Sequence, residues 1–266
     1  MLFRTQGYTQ KGKMTMNFKQ RLLRGEHAFG TMITAFDTPE MVRILKDCGL
    51  DWFFFDIESR YPNVDRMYSV FGYAKMLGLT GFVRIPEVNK TEVFRAMDMG
   101  VDGIVCPCVE SPEQARELVR LAKYAPMGQR GVSVAGPHTE YKTRNFAAFT
   151  LEANENTILI AQMESVAGIE RVDEILAVEG IDGVLIGPND LTQDMGIYGQ
   201  LNHPDFLAMT DKVIDACKRH NKFAGIIAKD VKTLLQWREK GVTLLQWGSD
   251  VAIFSSKLRE GMADAK

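Results

Sequence analysis

Residues 180–187 read GIDGVLIG: a glycine, an aliphatic residue, an aspartate and then an apolar run. The phrase returns along the chain. Gly49-Leu50-Asp51 leads into WFFFD, Gly100-Val101-Asp102 into GIVCP, and Gly241-Val242-Thr243 into LLQWG. A glycine just past a helix supplies the left-handed residue that ends it. A short all-apolar run is how a strand buried on both faces reads. Helix, glycine stop and buried strand together make the return half of a βαβ unit. Strands are predicted near 29–34, 51–56, 81–84, 102–106, 158–163, 183–187, 223–227 and 243–247.

The intervening helices carry their own signals. Ser111-Pro112-Glu113-Gln114 is a capping-box pattern with proline at the first helical position. Behind it Ala115, Leu118, Val119 and Ala122 recur at helical spacing. Asp37 is expected to cap a helix with Met41, Ile44, Leu45 and Cys48 on one face. Asp230 is expected to open another with Val231, Leu234 and Leu235 inward. Further helices are predicted at about 64–77, 90–98, 166–177 and 205–220. Eight alternating units in a chain of 266 residues fit an α/β fold, a single-domain (β/α)8 TIM barrel. A doubly wound sheet would carry a G-x-G-x-x-G turn after an early strand, and none is present. Residues 1–16 read as an N-terminal lead-in and 17–266 as the barrel. The polar segment 135–156 lacks a clear period and is expected to be a long loop over the site.

Composition narrows the function. Hydrophobic residues make up 45% and charged residues 25%, the balance of a soluble globular chain. Lys+Arg 32 against Asp+Glu 34 leaves no basic excess to neutralise phosphates, which argues against nucleic-acid binding. No apolar run approaches the roughly 20 residues that cross a bilayer. The first residues show no secretory h-region, so a cytoplasmic location is expected. Cys48, Cys106, Cys108 and Cys217 have no C-x-x-C spacing and read as reduced core thiols.

In a barrel, chemistry belongs at the C-terminal strand ends. Those ends carry Asp56, Glu58, Ser59 and Arg60, then Arg84, then Cys106-Pro107-Cys108, then Gln162 and Glu164, then Gly187-Pro188-Asn189-Asp190, and last Asp250. Glu164 and Asp190 follow neighbouring strands. Two carboxylates with waters suit a hard divalent ion, although both could equally serve as helix caps. Arg84, apolar on both sides, needs an anionic partner: a substrate carboxylate, or a structural pair with Asp56 or Glu58. Asp56 and Glu58 could orient Arg84 or act as a general acid/base pair. No histidine lies near Cys106 and Cys108 in sequence, so cysteine catalysis is not expected. His27, His203 and His220 read as surface or capping residues. His138 sits in the segment expected over the rim and is a candidate site residue.

The ordered set of phrases resembles the HpcH/HpaI aldolase family, the metal-dependent class II pyruvate aldolases. The similarity runs from about Phe18 to about Leu258. It rests on GLDWFFFDIE at 49–58, VRIP at 83–86, AMDMGVDGIVCP at 96–107 and ESPEQAR at 110–116. It continues with YAPMGQRGV at 124–132, QMES at 162–165, IDGVLIGPNDL at 181–191 and WGSD at 247–250. The resemblance implies a barrel assembled as a homo-hexamer, a trimer of dimers exchanging their last helices. It implies one Mg2+ or Mn2+ per subunit on Glu164 and Asp190, chelating the oxygens of pyruvate and acting as a Lewis acid. It implies that Arg84 stabilises the enolate. It also implies that backbone amides across Gly187, Pro188, Asn189 and Asp190 hold the pyruvate carboxylate. The partners implied are a small 2-oxo acid and an aldehyde.

One departure concerns the proton. The family reads D-x-E-H after the second strand, and the histidine pairs with an aspartate matching Asp98 to move the proton of the aldol hydroxyl. Here Ser59 stands in its place, and a neutral serine is no general base near pH 7 unaided. The family tryptophan after the first strand is also replaced, by Ile33 or a neighbour. Three accounts follow. In the first, the chain is an active aldolase cleaving a 4-hydroxy-2-oxo acid, its proton moved by His138, Tyr61 or a water oriented by Glu58. In the second, it keeps only enolate chemistry, as an oxaloacetate decarboxylase or related lyase. In the third, it binds a 2-oxo acid without catalysis. Retention of Glu164, Asp190 and Arg84 speaks against the third, since simple binding requires no enolate sink, and the first is the reading we adopt.

Overall fold

The computed structural model describes residues 16–58, 63–133, 135–142 and 145–266. Eight parallel strands close into a barrel in chain order. They are β1 (Ala28–Ile33), β2 (Trp52–Asp56), β3 (Thr80–Arg84), β4 (Gly103–Cys106), β5 (Ile158–Met163), β6 (Gly183–Ile186), β7 (Phe223–Ala228) and β8 (Leu244–Ser249). Each predicted strand is present, displaced by at most two residues at an end. The helices are α1 (Phe18–Leu23), α2 (Pro39–Asp47), α3 (Val64–Leu77), α4 (Lys90–Asp98), α5 (Pro112–Ala122) and α6 (Phe146–Asn156). They continue as α7 (Val166–Glu170), α8 (Val172–Leu176), α9 (Pro188–Asp194), α10 (Pro204–Arg219), α11 (Val231–Glu239) and α12 (Asp250–Asp264). No described helix is long and apolar enough to cross a membrane.

Alternation along each strand builds two cores. Trp52 and Phe54 point into the lumen with Phe82, Val105, Ile158, Ile160, Leu185, Phe223 and Leu244. Phe53 and Phe55 point outward, into the layer shared with the helices. That is why WFFFD is apolar throughout. α1 closes the lower end of the lumen. Asn17 caps it in a reciprocal box with Gln20, Leu22 joins the inner cluster, and Phe18 meets Phe82 edge to face at 6.0 Å. The recurrent glycines Gly49, Gly100, Gly180 and Gly241 all have φ between 85° and 98°. Gly49, Gly100 and Gly241 directly follow the caps of α2, α4 and α11, as helix-stop residues do, whereas Gly180 lies three residues beyond the Ala177 cap of α8.

Several expectations need correction. Thr38 holds the N-cap position of α2 without a side-chain cap bond, and Asp37 instead accepts from Arg66 Nη1 at 2.9 Å. Its buried stripe is Val42 and Leu45, which leaves Ile44 and Cys48 exposed. In α11 the inward residues are Leu234 and Trp237, while Val231 and Leu235 face outward. Cys106 and Cys217 are core thiols, but Cys108, like Cys48, is exposed. Ser111 caps α5, yet Gln114 returns its bond to the Glu110 amide, one residue earlier than a capping box would.

The segment 135–156 is not a loop over the C-terminal rim. Its described residues form a 3-10 turn, Pro137–Thr139, and then α6, which leads directly into the lower end of β5. A helix preceding a strand ends at that strand's N-terminal side, so this segment lies at the opposite end of the barrel from the chemistry.

Candidate active site

The alternation that turns Phe54, Phe82 and Ile160 into the lumen turns Asp56, Arg84 and Gln162 inward at its upper mouth. Asp56 and Arg84 are also register partners between β2 and β3. Arg84 Nε donates to Asp56 Oδ1 and Nη2 to Asp56 Oδ2, both at 2.8 Å. Nε also lies 3.0 Å from Glu58 Oε2. The guanidinium rests 5.6 Å from the Phe54 ring centroid. Arg84 therefore has its structural ion pair, while Nη1 meets no acceptor among the described residues. Burial works against its charge, but Asp56 and Glu58 outweigh it and keep the guanidinium firmly ionised.

Glu164 follows β5 and is 7% exposed. Its Oε1 accepts from the Cys108 amide at 2.7 Å and from Cys108 Sγ at 3.2 Å. Its Oε2 accepts from Gln162 Nε2. The carboxylate is thus fixed from both sides. Gly187 makes room for it: a Cβ there would stand 2.8 Å from Glu164 Oε2. Gln162, noted in the sequence but given no role, is the positioning residue that sequence reasoning missed. Its inward register after Ile158 and Ile160 was the available signal.

Glu58, Cys108 and Glu164 bring one ligand atom each within 4.8 Å of one another. Burial pushes the Glu58 carboxyl upward. Arg84 opposes this, and Glu164, Asp56 and Asp190 add to it. Asp190 thus belongs to the same electrostatic neighbourhood, exposed on the first turn of α9. This donor set of carboxylates and one sulfur fits a divalent cation. Burial raises the Cys106 thiol, and desolvation followed by the Glu164 bond pushes Cys108 up to about 12.

The 187–190 turn offers fewer donors than four residues imply. Pro188 has no N–H, and the Gly187 amide is committed to Met163 O at 3.0 Å. The amides of Asn189 and Asp190, in the first helical turn, have no acceptor within the helix.

Two candidates lie elsewhere. Asp98 ends α4 and accepts from Arg130 Nη2 at 2.7 Å. A cavity of about 350 Å³ beside them is lined by Thr80, Asp102, His138 and Ile158, residues at the lower ends of β3, β4 and β5. His138 Nε2 there meets Ser133 O at 2.7 Å, and its ring packs against Phe149. Within one chain, neither Asp98 nor His138 reaches the rim. Asp250 does lie at the rim, but as a brace: its carboxylate accepts from the amides of Thr34, Ala35 and Phe36. Ser59 and Tyr61 lie outside the described residues.

Known proteins resemble this chain over most of its length. The family model described as HpcH/HpaI aldolase/citrate lyase matches residues 31–256. The chain is 33% identical to the hydroxypyruvate/pyruvate aldolase of Roseovarius nubinhibens, over 94% of this chain and 96% of that one. It is 31% identical to the 5-keto-4-deoxy-D-glucarate aldolase of Klebsiella pneumoniae, over 87% and 89%. The crystal structure of an HpcH/HpaI aldolase from Desulfitobacterium hafniense superposes with a TM-score of 0.91 at 36% identity, covering 95% of this chain and 97% of that one.

Proposed function

The chain belongs to the HpcH/HpaI aldolase/citrate lyase family, and from that premise we propose how its rim residues act. The protein is a metal-dependent carbon–carbon lyase, an aldolase that reversibly cleaves a 4-hydroxy-2-oxo acid to pyruvate and an aldehyde. The observation that carries the assignment of roles is the buried Glu164 carboxylate, fixed by Gln162 and Cys108 beside Arg84.

Glu164 and Asp190 hold the divalent ion, one per subunit, and on carboxylate chemistry alone that ion is Mg2+ or Mn2+. When bound, it supplies Lewis-acid polarisation of the 2-oxo group and neutralises enolate charge. Asn189 and Asp190 offer their free amides to the substrate carboxylate, with Gly187 and Pro188 shaping the turn. Arg84, locked by Asp56, presents Nη1 to the oxygen that gains charge as the carbon–carbon bond breaks. Because Asp56 fixes the fork beforehand, little reorganisation is needed at that moment. Glu58 is the described rim group placed to move the proton of the aldol hydroxyl, directly or through a water. Asp98 and His138 have no part in this scheme within one chain.

A homo-oligomer with exchanged last helices belongs to the same proposal. α12 leaves Val251, Phe254, Leu258 and Met262 exposed, an apolar stripe that a neighbouring subunit would cover. The hexamer rests on resemblance, and the cytoplasmic location on the four unpaired cysteines.

The test is oxaloacetate decarboxylation with added Mg2+ or Mn2+, run against EDTA and against Asp190→Ala to remove the free-metal reaction. Metal-dependent turnover that Asp190→Ala abolishes is expected, followed by aldehyde release from a panel of 4-hydroxy-2-oxo acids. A fully active Asp190→Ala enzyme overturns the assignment.

A further inference from the structure

Cys108 does more at this rim than follow β4. It is a non-glycine residue at φ 50°, in the left-handed region that side chains seldom occupy. That backbone turns its amide and its thiol onto the same oxygen, Glu164 Oε1, at 2.7 and 3.2 Å. The sulfur is one of the three ligand atoms gathered within 4.8 Å. Of the other two, Glu58 is already engaged with Arg84 at 3.0 Å. Glu164 Oε1 and the Cys108 sulfur already meet at 3.2 Å, close enough to act as neighbouring ligands of one ion.

We propose that Cys108 Sγ is a ligand of the catalytic divalent ion and sets its selectivity, favouring thiophilic cations such as Co2+ and Zn2+ over Mg2+. The inference rests on the reading of Glu164 as a metal carboxylate. On coordination the S–H proton leaves to solvent and a sulfur–metal bond replaces the S–H···O bond to Glu164, since a coordinating thiol is deprotonated outright. An all-oxygen site suits Mg2+ or Mn2+, whereas adding a thiolate ranks Co2+ and Zn2+ above both. The aldol chemistry is unchanged, because only Lewis acidity is asked of the ion.

The experiment uses the full chain, stripped with chelator and titrated with Co2+ while the near-ultraviolet spectrum is followed. A thiolate-to-cobalt charge-transfer band saturating at about one ion per chain is expected. Cys108→Ser, with Cys106 retained, should bind Co2+ without that band. Its preference for Zn2+ over Mg2+ should fall on the order of 10–100-fold. The wild-type spectrum is decisive even if the variant folds poorly. Co2+ binding that is lost in Glu164→Gln yet shows no charge-transfer band in the wild type overturns the role of Cys108 and leaves the metal site standing. A band that persists in Cys108→Ser overturns it equally. Wild-type protein that binds no Co2+, or binding that survives Glu164→Gln, overturns the metal reading and this inference with it.

Discussion

Arg84 and Asp56 are cross-strand partners at the mouth of the barrel, joined by two parallel N–H···O bonds of 2.8 Å. The pair is a positioning device. A guanidinium gripped on two nitrogens can present the third in one direction only. Arg84→Lys keeps the charge and loses the fork. We expect kcat to fall about 10²–10³-fold, the scale for losing one preorganised donor to a developing anion. The fold should be retained, as judged by an unchanged far-UV spectrum and unfolding midpoint. Lysine at full activity would mean that charge alone suffices.

Gly187 is required by approach rather than by φ, which is an ordinary −95°. A methyl there would stand 2.8 Å from Glu164 Oε2, 3.1 Å from its Cβ and 3.2 Å from Gln162 Nε2. Glu164 cannot simply swing aside, since the Cys108 amide and Gln162 both hold it. Gly187→Ala should therefore lower divalent-ion affinity, on the order of 10–100-fold, with little change in thermal stability. Isothermal titration with Mn2+ on the two proteins checks it, and equal affinities would show that the carboxylate is freer than its bonds imply.

The barrel was legible because its strands are buried on both faces and its helices stop on glycine. Both signals are local, and both survive without knowledge of neighbours. Helix faces were less legible. Ile44 and Leu235 are apolar yet exposed, and only the packing direction of α2 and α11 decides between them and Val42 or Trp237. The two candidates that lie away from the rim within one chain share one cause. Asp98 precedes Gly100 and β4, and His138 precedes α6 and β5, so strand direction already puts both at the lower end. A polar composition drew His138 to the rim. Gln162 and Cys108 acquire their roles from what they touch, Glu164, two and 56 positions away.

Asp250 ties the end of β8 to the chain after β1. Burial alone would raise its carboxyl. The amides of Phe36 and Ala35 and then the Thr34 hydroxyl outweigh that and hold it below the usual aspartate range. A depressed folded-state value means stability that is present above the unfolded value and lost as pH falls through the folded one. At pH 7, Asp250→Asn should cost roughly 1–3 kcal/mol, because its amide would face buried N–H donors it cannot satisfy. Urea unfolding at pH 7 and below about pH 4 should show the gap between the two proteins closing in acid. A gap independent of pH would assign the effect to shape, not charge.

Ser59 is the sharpest divergence from the family pattern, and it separates the two halves of the reaction. Making and stabilising the enolate draws on Glu164, Asp190 and Arg84, all retained. Moving the proton of the aldol hydroxyl falls to whatever replaces the family histidine. With His138 at the far end of the barrel, Glu58 is the described candidate; burial raises its carboxyl, but Oε2 is already engaged by Arg84 Nε at 3.0 Å, which leaves it less free to take a proton than an imidazole would be. Ser59→His should therefore raise the retro-aldol kcat, on the order of 10²-fold, the lower range for a well-placed general base. Oxaloacetate decarboxylation has no hydroxyl proton to move, so its rate should not change. Measuring both reactions on one preparation makes each the control for the other. A parallel rise in both would point to improved enolate formation, and no rise in either would mean that Glu58 already carries the proton efficiently.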